Sequence, residues 1–295
     1  MDRIGARLAA RLIPSPDAAM LDCFDDKWQF YRFCRKHGLD VPCTQLIASK
    51  HDLDFHQAAR RIGLPFVLKP VNQAGSAGFQ LMSSEQDYRT RIIDDAQYQY
   101  SPLLVQQYIR GIDIGLNLLS IHGRITALSI QQRDFPQNFG APIEFISNPC
   151  LESAAHTICE ISGYHGVMNI DARIEEKTGR VFLFESNPRF WGSVSASVWC
   201  GLNFIQSCLE PPPPAGQIRR LHSGRASVHY HPIVRPALWG QALFSQHAHR
   251  RRMVRIMMAD LWTFLVQFSS LRHKVRKYLS APLHFPRLTH CYRWH

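Results

Sequence analysis

Residues 166–193, GVMNIDARIEEKTGRVFLFESNPRFWGS, decide the fold that this sequence predicts. Polar and apolar side chains alternate in the first ten residues, which indicates a β-strand with Asp171 on its polar face. A second strand follows the tripeptide Lys-Thr-Gly, which favours a three-residue hairpin loop. Such a loop pairs residue 176 with residue 180, and the same register continued inward pairs Asp171 with Glu185.

Asp171 and Glu185 are then predicted to share one face of the hairpin, with Asn187 two residues further along the same side. Cross-strand side chains lie about 5 Å apart at Cβ, and like charges placed there destabilise a hairpin. Two carboxylates and an amide oxygen form a set of hard oxygen ligands that suits Mg²⁺. A solvated acidic face on an ordinary hairpin is the alternative interpretation of these residues.

The composition is that of a globular protein, since the chain has 295 residues of which 45% are hydrophobic. The net charge of +11 is unevenly distributed, because residues 215–295 carry 14 Lys and Arg and only one acid. Eight cysteines without a CxxC pair favour reduced thiols. No segment has the length of a signal peptide or membrane span. We therefore expect a cytoplasmic protein with a basic C-terminal part.

Two lysines and a glycine loop precede the hairpin. Lys27 begins a predicted helix, and Lys69 ends the short apolar strand PFVLKP. The loop that follows contains Gly75, Ser76 and Gly78, and glycines allow backbone N–H groups to turn toward a phosphate. Surface lysines and a flexible hairpin tip are the alternative interpretations.

Further along the chain, residues 103–111, LLVQQYIRG, read as a buried strand, and Asp113 stands where the next strand begins. A loop broken by Pro and Gly carries Arg133. The proline run at residues 211–214 is the clearest boundary in the sequence.

Four features occur in this order along the chain: Lys27, PFVLKP with its glycine loop, LLVQQYIRG-x-D and D-x13-E-S-N-P-R. Together they resemble the ATP-grasp superfamily of ligases. The resemblance implies an α+β fold in which two α+β lobes hold the nucleotide between them. The ATP-grasp domain would cover residues 23–210, with a lid lobe at about 45–104 and a metal-binding lobe at 105–210. Residues 1–22 would be an N-terminal remnant, in which the sequence pattern predicts a short amphipathic helix at residues 2–12. Residues 211–295 would be a basic helical C-terminal extension, with a helix-like pattern from Gln241 to Leu279.

The resemblance also implies roles for the residues that bind the nucleotide. Lys27 and Lys69 would hold the phosphates of ATP, and a mobile loop with Gly75, Ser76 and Gly78 would close over them. The adenine would contact the backbone of Gln107 and Ile109, with Tyr108 between them, and the side chain of Gln106. Asp113 would bind the ribose hydroxyls.

The remaining roles concern the metal and the reacting groups. Asp171, Glu185 and Asn187 would bind Mg²⁺ or Mn²⁺. Arg189 would neutralise the transferring phosphate, and Arg133 would contact substrate or phosphate. Surface salt bridges are the alternative for both arginines.

The sequence departs from the family in several places. Members usually carry a further domain before the first lysine, whereas 26 residues precede Lys27 here. The chain would then be truncated, would use a partner subunit or a second copy as the missing wall, or would no longer perform the full reaction. Gln106 and Asp171 stand where many members have Glu.

The implied function is an ATP-dependent ligase that joins a small-molecule carboxylate to an amine through an acyl phosphate. One alternative is a nucleotide-binding regulatory or scaffold subunit without turnover. Another is a membrane-surface or nucleic-acid module in the basic tail, although such a helix can also pack on its own protein.

Overall fold

The structure is a computed structural model that describes residues 13–73, 75, 77–133, 142–227, 244–260, 262 and 265, with only the backbone of Arg133 and Ser227. The chain divides into two compact units, residues 1–228 and 229–295, whereas the sequence places the boundary at the proline run. The predicted helix at residues 2–12 and Ser76 lie outside the described residues. Within the described ranges, no helix is both long and apolar enough to cross a membrane.

A four-stranded antiparallel sheet forms the first lobe of the first unit. Its strands are β1 Thr44–Ile47, β2 Phe66–Pro70, β3 Gln80–Met82 and β4 Leu103–Gln107, in the order β1-β4-β2-β3. Its helical segments are Lys50–Asp52 (3₁₀), Phe55–Ile62, Glu85–Tyr88 and the π-helical turn Arg89–Ile93.

Local sequence accounts for the helix Phe55–Ile62 in this lobe. It begins after Asp54, whose carboxylate accepts a hydrogen bond from the N–H of Gln57, and it ends at Gly63 with a φ of 93°. Phe55, Ala58 and Ile62 recur at helical spacing and are all buried, so one face of the helix closes the core of the lobe.

A seven-stranded sheet forms the second lobe. Its strands are β5 Gly111–Ile121, β6 Arg124–Arg133, β7 Pro142–Ile146, β8 Gly166–Glu175, β9 Val181–Asn187, β10 Arg219–Leu221 and β11 Gly224–Ser227. The order is β11-β7-β6-β5-β8-β9, and β10 pairs with β6 in parallel. β10 and β11 follow the proline run, so residues beyond the predicted boundary belong to this sheet.

Helices cover one face of this sheet and only part of the other. Ala18–Asp25, Lys27–Lys36 and Pro149–Ser162 pack on the first face, where a core cluster includes Phe24, Phe30, Leu151, Ile170 and Leu183. The helices Val194–Cys200 and Phe204–Leu209 lie on the other side, where Phe204 packs with Leu119 and Val167. Further along β8, this second face turns its polar side chains toward the first lobe.

The hairpin β8–β9 confirms the predicted pairing of Asp171 with Glu185, but its loop and the register next to the loop differ from the predicted ones. The predicted three-residue loop closed by residues 176 and 180 is wrong. The loop has four residues, 176–179, and the N–H of Glu175 donates to the carbonyl of Arg180 at 2.8 Å. The register at the loop is therefore one residue away from the predicted one.

A β-bulge at Phe184 restores the pairing. Ala172 pairs with Leu183 and Asp171 with Glu185, so Phe184 has no partner of its own in β8. The extra residue lets Leu183 stay in the core while Glu185 faces the other side of the sheet. The bulge therefore places Glu185 beside Asp171.

The second unit contains the helix Ala248–Ala259, in the region where the sequence predicts a basic helix between residues 241 and 279. Val254 is buried on this helix and Ile256 is exposed.

Candidate functional site

A cleft of about 530 Å³ separates the two sheets. Its walls come from the ends of β2 and β4 on one side and from β5, β8 and β9 on the other. Twelve of the predicted site residues line it: Lys27, Lys69, Gly75, Gln106, Gln107, Tyr108, Ile109, Asp113, Asp171, Glu185, Asn187 and Arg189. Gly78 does not line it, and Ser76 and the side chain of Arg133 lie outside the described residues.

The carboxylates of Asp171 and Glu185 are close enough to perturb each other. Burial and the neighbouring charge and hydrogen bond of Glu185 raise the pKa of Asp171 to about 7. Within the described residues, no group of three or more His, Cys, Asp or Glu side chains could hold a metal ion. Any cation at this place would therefore depend on the carboxylate pair and the amide of Asn187.

Lys27 approaches the carboxylates from its helix. Asp26 caps this helix by accepting from the N–H groups of Trp28 and Gln29, and this places Lys27 at the first helical position. Its Nζ lies 3.4 Å from Glu185 Oε2 and donates to the carbonyl of Gln73 at 2.6 Å. The ammonium group therefore bridges the two lobes at the cleft.

Lys69 approaches the same place from the end of β2. Only 8% of the residue is exposed, and burial lowers the pKa of its ammonium group to about 8. Its Nζ lies 5.8 Å from the centroid of the Phe184 ring. A buried cation beside an open cleft is suited to binding an anion.

The side-chain amide of Asn187 lies between the carboxylate of Asp171 and the guanidinium group of Arg189. Its Nδ2 donates to Asp171 Oδ2 at 3.4 Å, and its Oδ1 accepts from Arg189 Nη2 at 2.9 Å. The amide oxygen therefore faces Arg189, two residues further along the chain.

The far end of the cleft is formed by residues 106–109. The Nε2 of Gln106, which is 3% exposed, donates to Thr44 Oγ1 at 2.9 Å. The backbone N–H of Gln107 donates to the carbonyl of Cys43 at 2.8 Å. A ligand that forms a hydrogen bond with the backbone of Gln107 would therefore have to donate to the carbonyl of Gln107.

Sequence reasoning missed Arg173, which organises this end of the cleft. Its Nε donates to Asp113 Oδ1 at 2.6 Å, and its Nη1 donates to the carbonyl of Ile109 at 2.7 Å. Its guanidinium also lies 5.5 Å from the centroid of the Tyr108 ring and 5.4 Å from that of Phe184. Strand alternation places Arg173 on the face of Asp171, but only the β5–β8 register, which pairs Asp113 with Arg173, identifies its partner.

The two described glycines of the loop differ in their surroundings. Both have positive φ, 65° for Gly75 and 71° for Gly78. A Cβ on Gly78 would lie 2.6 Å from Pro70 and 2.8 Å from the ring of Tyr100, whereas a Cβ on Gly75 would meet nothing within 4 Å. Gly78 is therefore required for packing, and Gly75 has open space at the cleft.

The profile of the ATP-grasp domain matches residues 24–193, which is more than half of the chain. This chain belongs to the ATP-grasp family. The predicted resemblance and the α+β ATP-grasp fold are thereby confirmed.

Individual ATP-grasp proteins show more distant similarity. The D-alanine–D-alanine ligase of Nitrosomonas europaea is 32% identical over 95 residues, which are 32% of this chain and 30% of that protein. The arginine-specific carbamoyl phosphate synthase large chain of Bacillus subtilis is 24% identical over 180 residues, 57% of this chain and 17% of that one.

Among solved structures, the L-amino acid ligase of Bacillus licheniformis has the same fold, with a TM-score of 0.52 at 18% identity. The similarity covers 70% of this chain and 52% of the ligase. The matched region spans about half or less of each of these three proteins.

Proposed function

We propose that this ATP-grasp protein binds MgATP in the cleft and acts as an ATP-dependent ligase that joins a small-molecule carboxylate to an amine. The observation that carries the proposal is the convergence of two lysines on the Asp171–Glu185 pair: Lys27 comes from a helix packed on the large sheet, and Lys69 comes from the small sheet across the cleft. Cations beside a carboxylate pair are suited to a triphosphate that arrives with a divalent metal ion.

The carboxylate pair fits a divalent cation. Repulsion from Glu185 contributes to the raised pKa of Asp171, and a cation bound between the two groups would offset that repulsion. Asp171, Glu185 and the Oδ1 of Asn187 would hold Mg²⁺ or Mn²⁺. When bound, the ion would supply positive charge to the phosphate oxygens.

The remaining groups of the cleft would hold the nucleotide. Lys27 and Lys69 would bind phosphate oxygens, and Gly75 would allow the loop to approach them. The carbonyl of Gln107 and the N–H of Ile109 would contact the adenine edge, beside the side chains of Gln106 and Tyr108. One carboxylate oxygen of Asp113 accepts from Arg173 Nε. The other oxygen would accept hydrogen bonds from the ribose hydroxyls.

The reaction would proceed in two steps. An oxygen of the substrate carboxylate would attack the γ-phosphorus of ATP, forming the acyl phosphate and releasing ADP. The amine nitrogen would then attack the acyl carbon, forming the amide and releasing phosphate and a proton. Arg189, beside the carboxylate pair, would neutralise the negative charge that develops on the transferring phosphoryl group. Arg133, whose side chain is not described, stays a predicted contact to substrate or phosphate.

The test is ADP release by the purified protein with Mg²⁺, ATP and a panel of carboxylic acids and amines. Amino acids come first in the panel, because the names of two relatives denote amino acid ligases. We expect substrate-dependent ADP release that Glu185→Gln abolishes. MgATP binding without ADP release across the panel would favour a nucleotide-binding subunit without turnover and contradict the ligase.

A further inference from the structure

A row of buried polar side chains crosses the large sheet next to the carboxylate pair. Ser129, Asn117, Asn169 and Asn187 are cross-strand neighbours on β6, β5, β8 and β9. Neighbouring strands are about 4.8 Å apart, so these four residues extend about 14 Å from Asn187 into the sheet. Asn117 and Ser129 are fully buried, and Asn169 is 7% exposed. We call these four residues the amide row.

Each amide in the row donates a hydrogen bond to the next side chain. Asn187 Nδ2 donates to Asn169 Oδ1 at 3.2 Å, and Asn169 Nδ2 donates to Asn117 Oδ1 at 3.1 Å. Asn117 Nδ2 then donates to Ser129 Oγ at 3.4 Å. All three bonds run in the same direction, from the edge strand β9 toward the middle of the sheet.

Groups that can only accept fix this direction. Asn169 Nδ2 also donates to the backbone carbonyl of Leu116 at 3.4 Å, and a carbonyl has no proton to donate. The amide nitrogen of Asn169 therefore has to face Leu116 and Asn117, which leaves its oxygen toward Asn187. Turning the amide of Asn169 by half a turn would bring its oxygen against the carbonyl of Leu116 and the oxygen of Asn117 in a buried place, which is unfavourable.

The direction of these hydrogen bonds fixes the orientation of the Asn187 amide. An isolated asparagine can present either its oxygen or its nitrogen to a ligand, because the two ends have nearly the same shape. Here the nitrogen faces Asn169 and Asp171, so the oxygen is turned toward Arg189, which also lines the cleft and donates to it. The row thus presents an oxygen, the kind of atom that binds a hard cation.

We infer that the amide row positions Asn187, with Asn117 and Asn169 acting as positioning residues for the divalent cation that accompanies the nucleotide. The inference rests on the proposed function, because it assigns Asn187 as a metal ligand. It adds two residues that do not touch the cation but set which end of the amide the cation meets.

The experiment is a double-mutant cycle on the binding of Mn²⁺ with ADP, followed by the electron paramagnetic resonance of free Mn²⁺. The proteins are wild type, Asn169→Ala, Asn187→Ala and the double variant. We expect Asn169→Ala to weaken Mn²⁺ binding about tenfold. In the Asn187→Ala background the same change should have no further effect, because the amide that the row orients is gone.

A merely structural role would give a different pattern. If Asn169→Ala weakens Mn²⁺ binding equally in both backgrounds, or in neither, the inference is overturned. Thr126→Val is the matched control, since Thr126 is a buried hydroxyl on β6 that donates to the carbonyl of Leu119 outside the row. It should lower thermal stability and leave Mn²⁺ binding unchanged.

A second variant covers a failure of folding, and the wild-type result separates the role of the amide row from the proposed function. If Asn169→Ala does not fold, Asn169→Leu fills the same volume without polar atoms, and the cycle is repeated with it. If wild-type protein does not bind Mn²⁺ with ADP at all, the proposed function itself fails. If wild type binds and the cycle is additive, only the role of the amide row fails.

Discussion

Asp171 and Glu185 are direct cross-strand partners because Phe184 is an extra residue in β9. Continuing the register of the loop without the bulge would pair Asp171 with Phe184 and turn Glu185 toward the helices. The bulge therefore brings two acids together on the cleft face at a cost in electrostatic repulsion.

The first prediction concerns the stability of the protein without ligand. The folded state raises the pKa of Asp171 from 3.8 to about 7, so it binds this proton more tightly than the unfolded state does. Stability from this group is present below about pH 4 and is lost as the pH rises to about 7. Asp171→Asn should therefore stabilise the ligand-free protein at pH 8, by about 1 kcal/mol or more, which corresponds to about 2–4 °C in Tm.

The measurement is thermal unfolding of wild type and Asp171→Asn at pH 8 and at pH 4, where the difference should shrink. Asp40→Asn is the control, since Asp40 is an exposed acid paired with Arg180 and should show no such gain. A variant that is less stable than wild type at pH 8 would contradict the assignment of repulsion at this pair.

The second prediction is a bell-shaped dependence of MgADP affinity on pH. Metal binding requires Asp171 without its proton, and phosphate binding is strongest when Lys69 carries its proton. Their pKa values of about 7 and about 8 place the optimum between these two pH values. Affinity should fall below about pH 7 as Asp171 is protonated and above about pH 8 as Lys69 loses its charge.

Isothermal titration of MgADP across this range tests the prediction, because it follows binding without turnover. Lys69→Met should weaken binding and remove the fall on the alkaline side. A wild-type profile that stays flat from about pH 6 to about pH 9 would show that neither group controls binding.

The third prediction concerns Arg173, which contacts Asp113, the carbonyl of Ile109 and the rings of Tyr108 and Phe184. Arg173→Met keeps an apolar side chain but leaves Asp113 and the Ile109 carbonyl without their donor. We expect MgADP affinity to fall about tenfold, because the end of the cleft formed by residues 106–109 loses its support.

Arg180→Met is the matched control for this change. Arg180 also pairs with an acid, Asp40, and also lies over an aromatic ring, that of Phe182, but it is exposed and away from the cleft. Titration of MgADP should give wild-type affinity for Arg180→Met. Equal losses in the two variants would mean that the effect does not depend on the position of Arg173.

The fourth prediction separates the two described glycines of the loop. Alanine at either position is strained by positive φ, which costs about 1 kcal/mol, but only Gly78→Ala adds a clash with Pro70 and Tyr100. Gly78→Ala should therefore lower the denaturation midpoint more than Gly75→Ala. Equal midpoints in chemical denaturation would contradict the packing role of Gly78.

Much of the fold could be predicted from the sequence because it depends on local patterns. The alternation in β8 placed Asp171 on the polar face, and the predicted register gave Glu185 as its partner although the predicted loop was wrong. The loop and the bulge could not be predicted, because each shifts the register by one residue and the two shifts cancel at Asp171. A regular pairing gives the same partner, so the sequence carries no sign of the difference.

The site could be predicted only where residues match a motif. Lys27, Lys69 and the carboxylate pair do converge on one cleft. Arg173 and three residues of the amide row, Asn169, Asn117 and Ser129, were missed. Only the registers of β5, β6, β8 and β9 bring them together with their partners. Gly78 was predicted as part of the phosphate-binding loop, but it does not line the cleft, and its carbonyl accepts from the hydroxyl of Tyr98 at 2.8 Å.

The central claim is that the Asp171–Glu185 pair holds the metal ion of a bound nucleotide. Its most direct test is the thermal shift that ATP produces with Mg²⁺ and with a chelator, on wild type and on Glu185→Gln, since a ligand that binds the native state raises Tm. We predict a rise in Tm for wild type that requires Mg²⁺ and is absent in Glu185→Gln. A Mg²⁺-dependent rise of the same size in both proteins, or no rise in wild type at saturating MgATP, would contradict the claim.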